Sequence, residues 1–207
     1  IIILFIMLKQ DNMNSDVIRT KGIVIVDDNG KERILIGAPI PYAKNRIRTD
    51  SVRAKESWGY IHPDYMNFYQ KYEHSTNGIL ILDENGYDRI ALGNDVPDPN
   101  IGKRIAPSSG IAINDEEGYE RTGYGLLKVN GLNRVNLGMD TNKGTEGLVL
   151  TVDDDGTTGL TIRSQKENIF LGTADSVNWF TRDRFPFNGL LIENSDSTKF
   201  ILNGHNK

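Results

Sequence analysis

The chain has 207 residues, of which 38% are hydrophobic and 25% charged, and its formal net charge is −4. These values are typical of a globular chain with one domain or two small ones, and they exclude a disordered or collagen-like protein. The absence of cysteine excludes disulfides, cysteine-ligated zinc, iron–sulfur clusters and thiol nucleophiles, and the acidic balance argues against a nucleic-acid partner.

The chain begins with eight apolar residues, Ile1 to Leu8, and turns polar at Lys9. A helix of this length spans about 12 Å, less than the ~30 Å hydrocarbon core of a bilayer. Three interpretations stay open: the end of a membrane helix that starts further upstream, the apolar region of a signal peptide, or a buried first strand. The first predicts an anchor end and polar spacer over residues 1–20, followed by a single β domain over residues 21–207.

The body of the chain repeats one pattern, in which two short apolar runs flank a polar turn with a central glycine, replaced by Ser197 in the last copy. The outer glycines lie 15 residues apart in four copies, which begin at Gly22, Gly78, Gly110 and Gly189. β-Branched residues around an Asp/Asn-Gly turn are typical of a β-hairpin. The pattern therefore predicts an all-β fold, an array of repeated short hairpins that form a sandwich, a barrel or a stacked, trimeric structure.

The glycines at the centres of the turns are predicted to be structural, because glycine supplies the positive φ that tight turns need. They are Gly30, Gly86, Gly118 and Gly156. The Asp three residues before each can accept backbone N–H groups within the turn. None of these acidic turns has the spacing of an EF-hand loop, so no metal site is predicted, although a weak calcium site between stacked turns stays open.

Residues 43–76 separate the first two hairpins and do not follow the repeat. The first part is basic and also fits a solvated loop, whereas Pro63 to Tyr72 has apolar residues at helical spacing and predicts a short amphipathic helix. Long insertions between scaffold elements often carry recognition. We therefore predict a partner-binding surface on this insertion, formed by Arg46, Arg48, Arg53, Trp58 and Tyr65.

No catalytic constellation is evident in the sequence. The three histidines, His62, His74 and His205, are far apart, and the serine-hydrolase, zinc-protease and P-loop motifs are missing. The acidic run Asp115 to Glu117 lies in a predicted hairpin turn and is interpreted as structural. We expect a non-enzymatic protein without a cofactor. The alternative is a carbohydrate-binding module or polysaccharide-active enzyme that uses aromatic and acidic residues of the insertion.

The pattern G-[IL]-x-[IL]-x-D-x-x-G-x-x-R, which runs loosely through residues 22–138 and 147–204, resembles hairpin repeats of exported or membrane-anchored bacterial proteins and of phage-fibre-like segments. The resemblance implies hairpins and brings no catalytic residues. Because fibre-like relatives tend to be trimers, it implies a homo-oligomer, with a trimer favoured, or a subunit of a cell-envelope complex. We expect a structural or assembly protein, tethered to the membrane through residues 1–8 and located in the periplasm or at the cell surface.

Two further expectations follow from this interpretation. The strands Ile23–Val26 and Ile79–Leu82 are apolar on both faces, so they are expected to be sandwiched within the fold or buried against another subunit. Gly86→Val is expected to unfold or aggregate the chain, whereas Arg48→Ala is expected to leave the fold intact and weaken association.

Overall fold

A computed structural model describes residues 17–97, 107–142, 144–164, 166–175, 181, 186–194 and 198–203. Twelve strands form one sheet in chain order, and each strand pairs with the next in antiparallel orientation. This topology confirms the predicted all-β class. The apolar segment 1–8 lies outside the described residues, and so do parts of the irregular stretches 94–109 and 173–188.

The strands are short. Their bounds are β1 Gly22–Val26, β2 Glu32–Gly37, β3 Asn77–Leu82, β4 Asp88–Asn94, β5 Ser108–Asn114, β6 Glu120–Val129, β7 Leu132–Asp140, β8 Glu146–Asp153, β9 Thr158–Arg163, β10 Glu167–Ala174, β11 Phe187–Asn194 and β12 Thr198–Asn203. Tight turns join β1 to β2, β3 to β4, β5 to β6 and β8 to β9, as expected for hairpins.

The insertion contains one 3-10 turn, Ile47–Thr49, and two short helices, α1 (Ser51–Trp58) and α2 (Tyr65–Gln70). Helix α2 lies where the sequence predicts an amphipathic helix. Helix α1 was not predicted, because its basic residues suggested a solvated loop. It begins at Asp50, whose Oδ1 accepts hydrogen bonds from the backbone N–H groups of Val52 and Arg53 at 2.9 and 3.2 Å. This N-cap was the available signal for the helix.

The outer glycines of the repeat are register partners on neighbouring strands. One continuous row joins Gly22, Gly37, Gly78, Gly93, Gly110 and Gly125 across β1 to β6. A Cβ atom on Gly78 would collide with the carbonyl oxygen of Leu92 on the neighbouring strand. The glycines therefore allow a close approach of strand backbones that no other residue permits.

The two faces of the sheet differ in burial. One face, called here the covered face, carries a row of side chains of which eight described members are buried: Leu35, Leu80, Ala91, Ala112, Val149, Thr161, Phe170 and Leu191. Ile40 and Ala43 pack on this row beside β2 and β3, and Ala174 and Phe187 pack on Phe170 and Leu191. The opposite face, called here the open face, contributes to none of these clusters.

Candidate interaction surface

An ion pair buried inside the chain attaches the insertion to the sheet. Arg46 precedes the 3-10 turn, and its Nε and Nη2 donate to Oδ1 and Oδ2 of Asp88 on β4 at 2.7 and 2.6 Å. The two side chains are only 3% and 7% exposed. A third hydrogen bond from Arg46 reaches the carbonyl oxygen of His74 at 2.7 Å. This two-bonded geometry is the strongest form of the Arg–carboxylate contact.

A second arginine, Arg48, lies in the same buried cluster. Its Nε is 3.8 Å from Oδ2 of Asp88, and its guanidinium lies 5.4 Å from the ring centre of Trp58 and 5.7 Å from that of Tyr72. Arginine between aromatic rings gains a cation–π contribution that offsets part of the cost of burial. Its Nη2 has no hydrogen-bond partner, so the hydrogen-bonding groups of the cluster are only partly satisfied.

His74 is held in one neutral tautomer. Its Nε2 lies 2.8 Å from the carbonyl oxygen of Tyr69 and must donate to it, which leaves Nδ1 to accept from Nη1 of Arg48 at 3.1 Å. Burial, aided by the charge of Arg48, lowers the pKa of His74 to about 4. The imidazole is therefore uncharged at neutral pH and does not add a third positive charge to the cluster.

The residues predicted to bind a partner all make contacts within the chain. Arg53 donates to the carbonyl oxygens of Asn45 and Asn85, both at 2.9 Å. The indole of Trp58 donates to the carbonyl oxygen of Glu117 at 3.0 Å, in the turn between β5 and β6.

Four of these five side chains offer almost no surface to a partner in this conformation. The exposed fractions are 2% for Arg46, 1% for Arg48, 1% for Trp58 and 0% for Tyr65. The contacts of these side chains attach the insertion to the hairpin turns of the sheet.

The four predicted turn glycines all have positive φ, which is 75° at Gly30, 90° at Gly86, 79° at Gly118 and 89° at Gly156. In three of these turns the same Asp oxygen accepts two backbone hydrogen bonds. Asp83, for example, accepts from the N–H groups of Asn85 and Tyr87 at 2.9 and 3.0 Å.

These carboxylates are engaged by the turns themselves. The backbone hydrogen bond from Lys31 is the main cause of the lowered pKa of Asp27. Within the described residues, no group of three or more His, Asp or Glu side chains is placed to hold a metal ion.

The open face is defined by two parallel rows of register positions, one from each of the twelve strands in each row, and every position except Thr122 holds a large apolar or aromatic residue. The first row, in register order, is Ile23, Ile36, Ile79, Leu92, Ile111, Tyr124, Leu137, Leu150, Leu160, Leu171, Leu190 and Leu202. The second is Ile25, Ile34, Ile81, Ile90, Ile113, Thr122, Met139, Leu148, Ile162, Ile169, Ile192 and Phe200.

No side chain described in these two rows is buried. Leu92, Ile111 and Leu171 are 41%, 40% and 53% exposed, whereas their neighbours on the covered face, Ala112 and Phe170, are 5% and 3% exposed. Apolar patches of this extent on a soluble chain mark sites of association. The open face is therefore the candidate interaction surface of this chain.

Sequence reasoning missed the open face and the buried cluster for different reasons. The open face had a signal, because an alignment on the outer glycines places an apolar residue one and three positions after the first glycine of each copy. Asp88 had no such signal, because two of the other three copies also carry an acid, Glu32 and Glu120, at this turn-end position.

In comparisons with protein-family models, with curated proteins and with solved structures, no match to the chain was found. Among the helices that the structure describes, none is both long and apolar enough to cross a membrane.

Proposed function

We propose that the chain is a non-enzymatic structural or assembly protein that self-associates through the open face. The observation that carries this proposal is the continuity of two apolar rows over twelve strands, with no described member buried. A folded chain that leaves such a face in water loses the free energy that burial would supply. On association, the partner supplies the apolar layer that a second sheet of the same chain would supply in a β-sandwich.

The size of the open face suits a stable interface. With strands about 4.8 Å apart, twelve strands span roughly 53 Å, and two rows of side chains cover roughly 14 Å along the strands. The product is on the order of 700 Å², close to the ~800 Å² that each partner buries in a standard protein interface. A partner that covered only a few strands would leave most of the rows exposed.

We assign a second copy of this chain as the partner. The two rows contain no charged residue, so nothing on them selects a charged surface, whereas another open face matches them in length and chemistry. Two sheets packed with their open faces together, about 10 Å apart, are the smallest assembly that covers the open face of each copy. The trimer implied by the resemblance to fibre-like segments would cover each face with parts of two neighbours.

Anchoring and location belong to the same proposal and depend on sequence alone. The apolar residues 1–8 would tether the assembly to a membrane and the polar residues that follow would space it from the surface, with the β domain in the periplasm or at the cell surface. The proposal does not include the carbohydrate alternative, because Trp58 and Tyr65 are 1% and 0% exposed and cannot stack on a sugar in this conformation.

The test is the mass of the chain in solution, measured by light scattering during size-exclusion chromatography. Leu92 and Ile111 are register partners on the inner strands β4 and β5, so the double variant Leu92→Lys/Ile111→Lys places two charges in the proposed interface. The matched control is Val52→Lys, because Val52 is 64% exposed on helix α1, away from the sheet.

We expect an oligomer for the unmodified chain and for Val52→Lys, and a lower mass with an unchanged circular dichroism spectrum for the double variant. A monomeric unmodified chain, or a double variant with the mass of the unmodified chain, would contradict the proposal. Binding of a monomeric chain to phospholipid vesicles, lost in the double variant, would replace a second copy by a lipid surface.

A further inference from the structure

Strand β1 is an exposed edge strand of the sheet. It pairs only with β2, and among the described residues no strand lies on its outer edge. Both of its faces are accessible, with exposures of 43% for Ile23, 40% for Val24, 46% for Ile25 and 53% for Val26. It contains no charge and no proline, the residues with which natural proteins protect edge strands from pairing.

The hydrogen bonds of the first turn indicate which backbone groups of β1 face outward. The N–H of Asp27 donates to the carbonyl oxygen of Lys31 at 2.9 Å, so the backbone N–H and C=O groups of Asp27 point toward β2. Backbone direction alternates along a strand, and the bulge in this hairpin places its extra residue on β2. Gly22, Val24 and Val26 therefore direct their backbone groups toward the open edge.

We propose that β1 pairs in antiparallel orientation with β1 of a second copy, with Val24 opposite Val24 of that copy. This register brings Gly22 of each copy opposite Val26 of the other, so all three outward residues of each strand take part in the ladder. The twofold pairing is isologous and closes on itself, as in most homodimers. The inference extends the proposed self-association by naming a second contact, distinct from the open face.

The residues that flank β1 complement each other in this register. Lys21 of one copy lies opposite Asp27 of the other, and Thr20 lies opposite Asp28. Opposite charges on directly opposed residues stabilise an antiparallel pair. A shift of two residues toward the turn would instead place Asp27 opposite Ile23, and a shift the other way would place Lys21 opposite Ile25.

Edge pairing also preserves the separation of the two faces. Opposed residues lie on the same side of a sheet, so Ile23 of one copy continues into Ile25 of the other and the two open faces join on one side. Two such edge-joined pairs, packed through their open faces, would bury all the apolar rows together. The edge contact would thus increase the area available to the proposed open-face association.

The absence of cysteine allows a direct test by single-cysteine cross-linking of the full chain. In a hydrogen-bonded antiparallel pair the opposed Cα atoms are about 5.5 Å apart, within the range that a disulfide spans. Val24→Cys therefore places two thiols opposite each other across the twofold axis. The matched control is Val26→Cys, on the same strand and the same face, because the two Val26 positions are four residues out of register and beyond reach.

After oxidation with oxidised glutathione, we expect most of the Val24→Cys chain to run as a covalent dimer on a non-reducing gel. The Val26→Cys chain should stay monomeric on the same gel. Equal cross-linking of the two variants would indicate random collision and overturn the edge pairing.

The result also separates the two contacts. An unmodified chain that is oligomeric by light scattering, with a Val24→Cys variant that does not cross-link, would overturn the edge pairing and leave the open-face association standing. Efficient cross-linking of Val24→Cys, together with an unchanged mass for Leu92→Lys/Ile111→Lys, would support the edge pairing and overturn the open-face proposal.

Discussion

Arg46 of the insertion and Asp88 of strand β4 form an ion pair with two hydrogen bonds, of 2.7 and 2.6 Å, inside the protein. The pair joins two segments that are 42 residues apart in the chain. Arg48, which lies over the rings of Trp58 and Tyr72, adds a second positive charge beside the same carboxylate. Both buried arginines of the insertion are therefore neutralised by one acidic side chain of the sheet.

Asp88→Ala is expected to destabilise the protein strongly, because it leaves two buried guanidinium groups without their counter-charge. Removal of one partner of a buried ion pair costs about 3–5 kcal/mol. The free energy of unfolding, from urea titration followed by tryptophan fluorescence and circular dichroism, measures the loss. Asp28→Ala, at an exposed turn position, is the control and should change this free energy by no more than about 0.5 kcal/mol. Similar losses for the two variants would contradict the assignment.

Burial also changes what is expected of Arg48→Ala. On the sequence alone, this substitution leaves the fold intact and weakens association. Arg48 is 1% exposed and contacts Asp88, His74 and Trp58. The main effect expected of Arg48→Ala in this structure is therefore a lower free energy of unfolding, not weaker association.

Stability should depend on pH through His74. Its pKa is about 4 in the folded chain against an ordinary value of 6.5, so between these values the unfolded chain binds more protons. The contribution of this group is complete above pH 6.5 and is lost as the pH falls toward 4. Urea midpoints measured from pH 7.5 to 4 should decrease, and His74→Gln should flatten the decrease. A variant with the same pH profile as the unmodified chain would exclude His74 as the cause.

Gly86 and Gly30 occupy equivalent positions in two turns and differ in their surroundings. Both have positive φ, so an alanine at either position costs about 1–2 kcal/mol of backbone strain. A Cβ atom on Gly86 would also collide with the carbonyl oxygen of Asn45, whereas one on Gly30 would meet nothing within 4 Å. Gly86→Ala should therefore lower the thermal midpoint more than Gly30→Ala. Equal midpoints would show that the insertion does not lie against the second turn.

Helix α1 depends on its N-cap. Asp50 accepts hydrogen bonds from two backbone N–H groups at the start of the helix, and loss of such a cap costs about 1 kcal/mol. Asp50→Ala should lower the free energy of unfolding by that amount. Asp50→Asn should lower it much less, because the amide oxygen still accepts the capping hydrogen bonds. Ser51→Ala, one residue later, is the control and should have little effect. An Asn variant as unstable as the Ala variant would indicate that the charge, not the hydrogen bonding, matters.

The hairpins could be predicted because their determinants are local. A glycine with positive φ and an Asp three residues earlier are sufficient to specify a tight turn, as in Asp83 and Gly86. Helix α2 was predicted from its apolar spacing and from Pro63 at the start of the segment. Helix α1 was missed because its basic residues obscured a capping signal that was present.

The candidate site was harder to predict, because it depends on which face of the sheet is covered. Ile79 and Leu80 are adjacent and chemically alike, but Ile79 is 37% exposed and Leu80 is fully buried. No local pattern distinguishes them. The difference arises because the loop that carries Ile40 and Ala43 packs on one side of the sheet and nothing described packs on the other.

The sequence by itself determined the strand class, the turn positions and the even spacing that aligns apolar residues into rows, because each depends on residues close together in the chain. Only the tertiary structure decided that Arg46, Arg48, Trp58 and Tyr65 are buried within the insertion, and that no segment among the described residues packs on one face of the sheet. Burial and ion pairing are properties of distant segments brought together. The partner of Arg46 is 42 residues away, and no pattern of spacing along the chain predicts that contact.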